Sequence, residues 1–177
     1  DYNFYGYDQH VYDYEKKDVV QHLQDLTLKA GVKNTTLNAA GINYDPNLEV
    51  NFYASVDNVR ERTARVSLPV SRIFNKNFSA KVEFNANLTN YTTTGYVPNN
   101  FSFNNNVVQL QPVVSYHSDA IHINAGITPT WENGSFFVLP NIYGEAALPG
   151  ESFSVQAGMV GRVIKNTYRN LSMLNPY

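Results

Sequence analysis

The sequence predicts an all-β chain that forms part of an antiparallel transmembrane β-barrel of the outer-membrane kind. Three observations lead there. Apolar residues recur with a period of two rather than 3.6, the residues between them are mostly neutral and polar, and aromatic rings gather near the ends of the alternating runs.

The elements follow in chain order. An aromatic run near 2–8 is strand-like. Leu26, Leu28, Ala30 and Val32 alternate with Asp25, Thr27, Lys29 and Lys33, and a less regular strand falls at 36–44. Leu48, Val50, Phe52, Ala54 and Val56 share a face opposite Glu49, Asn51, Tyr53, Ser55 and Asp57. Ala64, Val66, Leu68 and Val70 form the next run, weakened at Pro69, which has no N–H for a ladder. The clearest run is 77–89: Phe78, Ala80, Val82, Phe84, Ala86 and Leu88 on one face, Ser79, Lys81, Glu83, Asn85, Asn87 and Thr89 on the other. Val108 to Tyr116, Ile121 to Trp131, 136–147 and 152–163 repeat the pattern, giving about ten strands in a single domain over 1–177.

Connections alternate in length. Asp45-Pro46-Asn47, Asn75-Lys76-Asn77, Ser118-Asp119 and Pro149-Gly150-Glu151 are expected as tight turns, with long loops at 90–105 and 164–177. Consecutive antiparallel pairing puts the short turns at one end and the long loops at the other, as in outer-membrane barrels. The aromatic opening and the Asn166 to Tyr177 ending, read as the start of a long loop, suggest part of a larger barrel.

Alternation alone also fits a soluble lipocalin-like barrel. Strand length and chemistry favour the membrane. Strands of about 10 to 12 residues rise roughly 40 Å, and a tilt of about 45° converts this to about 28 Å of bilayer normal. Their polar faces hold mainly Asn, Gln, Ser and Thr, which suits a hydrated lumen, with Lys81, Glu83, Glu145 and Arg162 as its charged lining. Tyr116, Trp131, Phe136 and Phe153, with Phe78 and Tyr44, are expected as the aromatic girdle at headgroup level. In that setting the partners are outer-membrane lipid, lipopolysaccharide and other outer-membrane proteins.

Composition closes several other routes. Charged residues are 16% of the chain, against roughly 25% in a typical soluble domain. Asn fills the gap at about one residue in eight. A formal net charge of -2 with scattered Lys and Arg offers no basic stripe for nucleic acid, and 43% hydrophobic content argues against disorder. With no Cys there is no thiolate metal site, thiol nucleophile or disulfide. No apolar stretch is long enough for a transmembrane helix, and no signal-peptide pattern opens the sequence. His117 and His122 flank the Ser118-Asp119 turn, yet only Asp119 stands near as a further ligand, so solvated turn histidines are expected rather than a metal site. Glu83 and Glu145 lie on separate strands and suit lumenal charge pairs better than acid/base work. No Gly-x-Ser-x-Gly, His-Glu-x-x-His, P-loop or Rossmann pattern occurs, so neither an enzymatic activity nor a cofactor is expected. The Asn-x-Ser/Thr triplets at Asn34, Asn77, Asn90, Asn100 and Asn133 are of the number chance supplies at this Asn content.

The C-terminal third carries a resemblance. Phe136-Phe-Val-Leu-Pro-Asn-Ile-Tyr-Gly-Glu-Ala, then Gln156-Ala-Gly-Met-Val-Gly161, Asn166-Thr-Tyr-Arg169 and Asn175-Pro-Tyr177 together resemble plug-less, TonB-dependent-receptor-like outer-membrane barrels of Bacteroidota. About a quarter of the chain carries this likeness closely. It implies an outer-membrane location and leaves open whether the barrel moves a solute or serves an assembly or secretion machine. No plug domain or TonB box is visible, so active import is not expected.

The function expected is therefore a membrane-embedded scaffold subunit of a larger outer-membrane complex. The alternatives are a solute channel and a secreted soluble β-barrel that binds ligand on its aromatic face. Phe137, Leu139 and Val113 on the nominally polar faces favour a filled lumen. The 90–105 loop, with Tyr91, Tyr96, Phe101 and Phe103, is either a contact surface for a partner protein or glycan, or part of the girdle.

Overall fold

The computed structural model describes residues 22–36, 40–55, 58–94, 100–148, 150 and 153–174. Nine strands form one antiparallel sheet: β1 (Leu23–Gly31), β2 (Ile42–Tyr44), β3 (Asn47–Ser55), β4 (Val59–Ile73), β5 (Phe78–Thr93), β6 (Phe101–His117), β7 (Ile121–Glu132), β8 (Ser135–Ala147) and β9 (Ser154–Val160). A helix, α1, follows at Tyr168–Leu174. The sheet order is β1-β3-β4-β5-β6-β7-β8-β9, with β2 beside β4, so this is an up-and-down meander. It stays open: β1 and β9 are its two edges and do not pair with each other.

Period-two alternation becomes two chemically distinct faces. Phe84 stands between Leu68 and Leu110, and Ala125 between Val114 and Ile142, so through the middle of the sheet apolar residues meet apolar residues on the outward face. On the inward face, Thr63 meets Asn51 and Thr89, and His122 meets His117 and Glu145. Burial is inverted relative to a soluble domain. The only buried hydrophobic residues among those described are Tyr53, Val59, Ala86 and Val107, while Asn51, Ser55, Glu61, Thr63, Thr89, Thr128 and Thr130 are buried on the inward face.

Three expectations are corrected. Asp45-Pro46-Asn47 is not a reversal: Tyr44 pairs Val70 and Asn47 pairs Ser67, so β2 and β3 run on in one register along β4 and Pro46 only interrupts the ladder. The segment 90–105 is not a long loop, because the β5–β6 ladder continues to Thr93 and Phe101 and leaves only 94–100 between them. The tail from 164 contains α1 rather than a loop throughout. Asn75–Asn77, Ser118–Asp119 and the region of Gly150 do share one end, but the other end also has short connections. One is the two-residue turn Asn133-Gly134, whose positive φ angles of 48° and 91° suit a type I′ hairpin. The strand expected near 2–8 lies outside the described residues.

Pro112 and Pro129 interrupt the β6–β7 ladder between Gln109 and Val113, where neither can donate. Beside them the strands crowd: a Cβ on Gly126 would lie 2.5 Å from the Pro112 carbonyl oxygen and 2.8 Å from Val113 Cγ2. Gly126→Ala is therefore expected to cost about 1–3 kcal/mol by overpacking. The check is the thermal unfolding midpoint of the two proteins followed by circular dichroism; an unchanged midpoint would refute the close approach.

Candidate functional site

The inward face is crossed by the chain's own C-terminal segment. After β9 the backbone crosses the sheet as a strap from β8 to β1, and its odd-numbered residues turn toward the sheet. Gly161 N–H donates to the Pro140 carbonyl at 2.8 Å, close against Leu139. Val163 sits over a cavity of about 300 Å3 lined by Glu49, Arg65, Asn87, Gln109 and Lys165. Thr167 is buried.

Lys165 fastens the middle of the strap. Its ammonium donates to the Asn87 carbonyl (2.9 Å), Asn87 Oδ1 (2.8 Å) and Thr89 Oγ1 (2.8 Å), which uses all three donors. Burial, helped by the nearby Arg65 charge, lowers its pKa from 10.5 to about 8 against the opposing pull of Glu61 and Glu132. The docked lysine thus binds fewer protons than a released one between pH 8 and 10.5. Docking therefore tightens as pH rises through that window and is insensitive to this group below it. Because the chain has no Cys, a nitroxide on Ile164→Cys is a sole label on the exposed side of the strap. Its mobile spectral component is expected to shrink between pH 8 and 10.5, and Lys165→Met should flatten that response.

The far end of the strap is α1. Tyr168 lies between Tyr53 and Tyr91, with ring centroids 6.0 and 5.7 Å away. Arg169 grips Asp25 Oδ2 through Nη2 (2.6 Å) and Nε (2.8 Å), and its backbone N–H donates to Glu61 Oε2 at 3.3 Å. Ser172 Oγ and Tyr53 OH are 2.7 Å apart. Glu61 is 2% exposed, so a buried carboxylate, supported by Thr63, receives the start of the helix.

Other inward charges pair locally. Glu49 binds Lys29 and Arg65, and Glu83 binds Lys81 (2.6 Å) with support from Asn85 and Ser67. Glu145 accepts from Tyr143 OH and Ser154 Oγ. Lys81, Glu83 and Glu145 thus share the inward face, while Arg162 lies beyond β9 on the exposed side of the strap. His117 and His122 face each other with ring centroids 5.4 Å apart. Among the described residues no three His, Asp or Glu side chains group as a metal site.

On the outward face, Phe78 stacks on Tyr116 (4.9 Å) at one end, and Trp131 on Phe136 (5.2 Å) toward the other. Tyr44 and Phe153 are also exposed. Between these ends, Phe78 to Leu88 on β5, Ile121 to Trp131 on β7 and Phe136 to Ala146 on β8 each present an unbroken outward apolar row. Every Asp and Glu of the described strands (Asp25, Glu49, Glu61, Glu83, Glu132 and Glu145) points inward; among the described strand residues the only outward charges are Arg60, Arg62 and Arg72. Arg62 and Arg72 flank the apolar row Ala64, Val66, Leu68 and Val70 on β4.

Of the residues expected as a partner loop, Tyr91 is instead an inward strand residue against Tyr168. Phe101 and Phe103 are exposed at the start of β6, and Tyr96 lies outside the described residues. Sequence reasoning missed Lys165, Tyr168 and Arg169 as fasteners, although Asn166-Thr-Tyr-Arg169 stood out as a motif. Comparison with protein-family models, curated proteins and solved structures finds no match to this chain.

Proposed function

We propose that this chain is part of the wall of a bacterial outer-membrane β-barrel, acting as a membrane-embedded scaffold subunit of a larger outer-membrane complex. The observation that carries the reading is the inverted distribution of polarity: buried polar groups inside, and outside an apolar band free of carboxylates. Eleven residues from Phe78 to Leu88 rise about 34 Å, which at a tilt of about 45° spans about 24 Å, the height of the apolar band of such barrels. Aromatic pairs stand at its ends, and Arg62 and Arg72 mark its limits on β4, where long side chains reach the interface. An open sheet whose two edges are unpaired among the described residues fits a wall whose closure needs further strands.

The strap favours a scaffold over a solute channel, because it lays the Arg169–Asp25 ion pair, the Lys165 anchor and the Tyr168 ring contacts across the inward face from β8 to β1, where a channel would need an open wet path. The proposal extends to protein contacts within the outer membrane and to lipid along the outward face. Its test is whether the native protein fractionates with outer membranes after a carbonate wash and runs on blue-native gels far above the size of one barrel. A membrane band at monomer or trimer size would turn the assignment to a pore. Release into the soluble fraction would overturn the membrane reading in favour of a soluble binding barrel.

A further inference from the structure

On the outward face, the end of β4 that leads out of the 56–58 connection carries two arginines one strand-repeat apart. Arg60 stands between Ala54 and Thr92, and Arg62 between Phe52 and Asn90. Both are exposed, and neither has an ion pair or side-chain hydrogen bond among the described residues. Six other charged strand residues are carboxylates, and all of them face inward, so among the described residues no carboxylate on this surface neutralises the pair. Unpaired guanidinium forks at the border of an apolar surface are a preformed anion receptor.

The surroundings define what the anion is attached to. Arg62 is shared by two adjacent shallow recesses. One, of about 360 Å3, is walled by Leu26, Phe52, Ala54 and Arg60, with Asp25 and Glu61, whose side chains belong to the inward face, also contributing to its lining. The other, of about 240 Å3, has Val50, Ala64 and Leu88 as an apolar floor below Asn90 and Asn104. Asn90 Nδ2 donates to Asn104 Oδ1 at 2.8 Å and to Ser102 Oγ at 3.3 Å, forming an amide and hydroxyl comb beside the arginines. The apolar floor thus lies on one side, and at its border the guanidinium pair and the hydrogen-bonding amides stand level with each other across the ladder, Arg62 beside Asn90 and Asn104, which matches acyl chains on the floor and a phosphate carried on a sugar at the border in a phosphorylated glycolipid.

We propose that Arg60 and Arg62 bind the phosphate of a phosphorylated membrane lipid, with its acyl chains along the Leu26–Phe52 and Val50–Leu88 recesses and its sugar against Asn90 and Asn104. This rests on the membrane reading above and adds to it a defined lipid site. Arg72, at the opposite limit of the apolar band, is the internal contrast: it lies against the Phe74 ring, 5.3 Å from its centroid, and has no second arginine on its row.

The test is titration of the intact, detergent-solubilised protein with diphosphoryl lipid A, read by native mass spectrometry. Arg60→Gln/Arg62→Gln is expected to weaken binding at least about tenfold. Arg60→Lys/Arg62→Lys, which keeps charge but loses the fork, is expected to weaken it about threefold, and Arg72→Gln to leave it unchanged. The unsubstituted protein supplies an arm independent of variant folding: lipid A stripped of both phosphates should bind at least tenfold more weakly, and inorganic phosphate should not compete at millimolar concentration. Equal binding of the stripped lipid, or of the Gln pair, overturns the site. Competition by inorganic phosphate assigns the arginines to a free anion and overturns the lipid assignment. Failure of the lipid arms in a protein that fractionates with outer membranes refutes this site alone; failure to fractionate refutes the membrane reading.

Discussion

Val82→Arg is expected to cost the folded protein about 2–4 kcal/mol in a bilayer, whereas Leu88→Arg, six residues along the same outward row, should cost no more than about 1 kcal/mol. The two side chains are almost equally exposed, 44% and 43%, and both belong to the apolar face of β5. In water the two substitutions would therefore be near equivalents. They differ in depth: Val82 lies near the middle of the Phe78–Leu88 band, and Leu88 borders Asn90 and Arg62. A central arginine must draw water and headgroups inward, while one at the border reaches the interface by extending its stem. Urea titration of folding into lipid vesicles measures the difference directly. A gap of at least 1 kcal/mol between the two variants supports the bilayer as the solvent of this face, and equal costs would remove the main physical argument for it.

How much of this was legible beforehand depends on where hydrophobic contrast survives. The 77–89 run was readable because each outward residue is apolar and each inward one polar, which leaves a single possible period. Beyond Leu88 the contrast vanishes: Asn90 and Thr92 face out, and Tyr91 and Thr93 face in, so both faces are polar or aromatic although the ladder runs on to Phe101. That is why 90–105 reads as a loop. Pro46 misleads for a related reason, since a missing N–H interrupts a ladder and starts a turn with the same residue. The inward site was less accessible still. Nothing in the spacing of Glu61, Tyr53 and Asp25 shows that they share a partner more than a hundred residues later, and the seven residues of α1 are too few for a helical period to emerge. Inward charge was visible as residue type; the partners of Asp25 and Glu61 came from a segment that reads as irregular chain.

Tyr168→Ala/Arg169→Ala is expected to free the far end of the strap and so tests whether the proposed barrel is filled or conducting. Arg169 loses a two-donor ion pair with Asp25 in which both side chains are about three-quarters covered, worth about 1–2 kcal/mol after allowance for solvent. Tyr168 loses its place between Tyr53 and Tyr91, worth about 2–3 kcal/mol. The backbone bond from Arg169 to Glu61 and the anchor at Lys165 remain, so the expected outcome is fraying of α1 with the sheet intact. Chymotrypsin should then cut after Leu171 within the frayed α1 at least about tenfold faster than in the unsubstituted protein, since about 1.4 kcal/mol corresponds to each factor of ten. In planar bilayers the unsubstituted protein should stay closed while the variant shows discrete openings. A conducting unsubstituted protein would favour the solute channel, because the strap would then leave a path beside it. A variant that is cleaved faster yet stays closed would mean that Phe137, Leu139 and the inward ion pairs occlude the lumen without the strap, and the scaffold reading would stand on the wall itself.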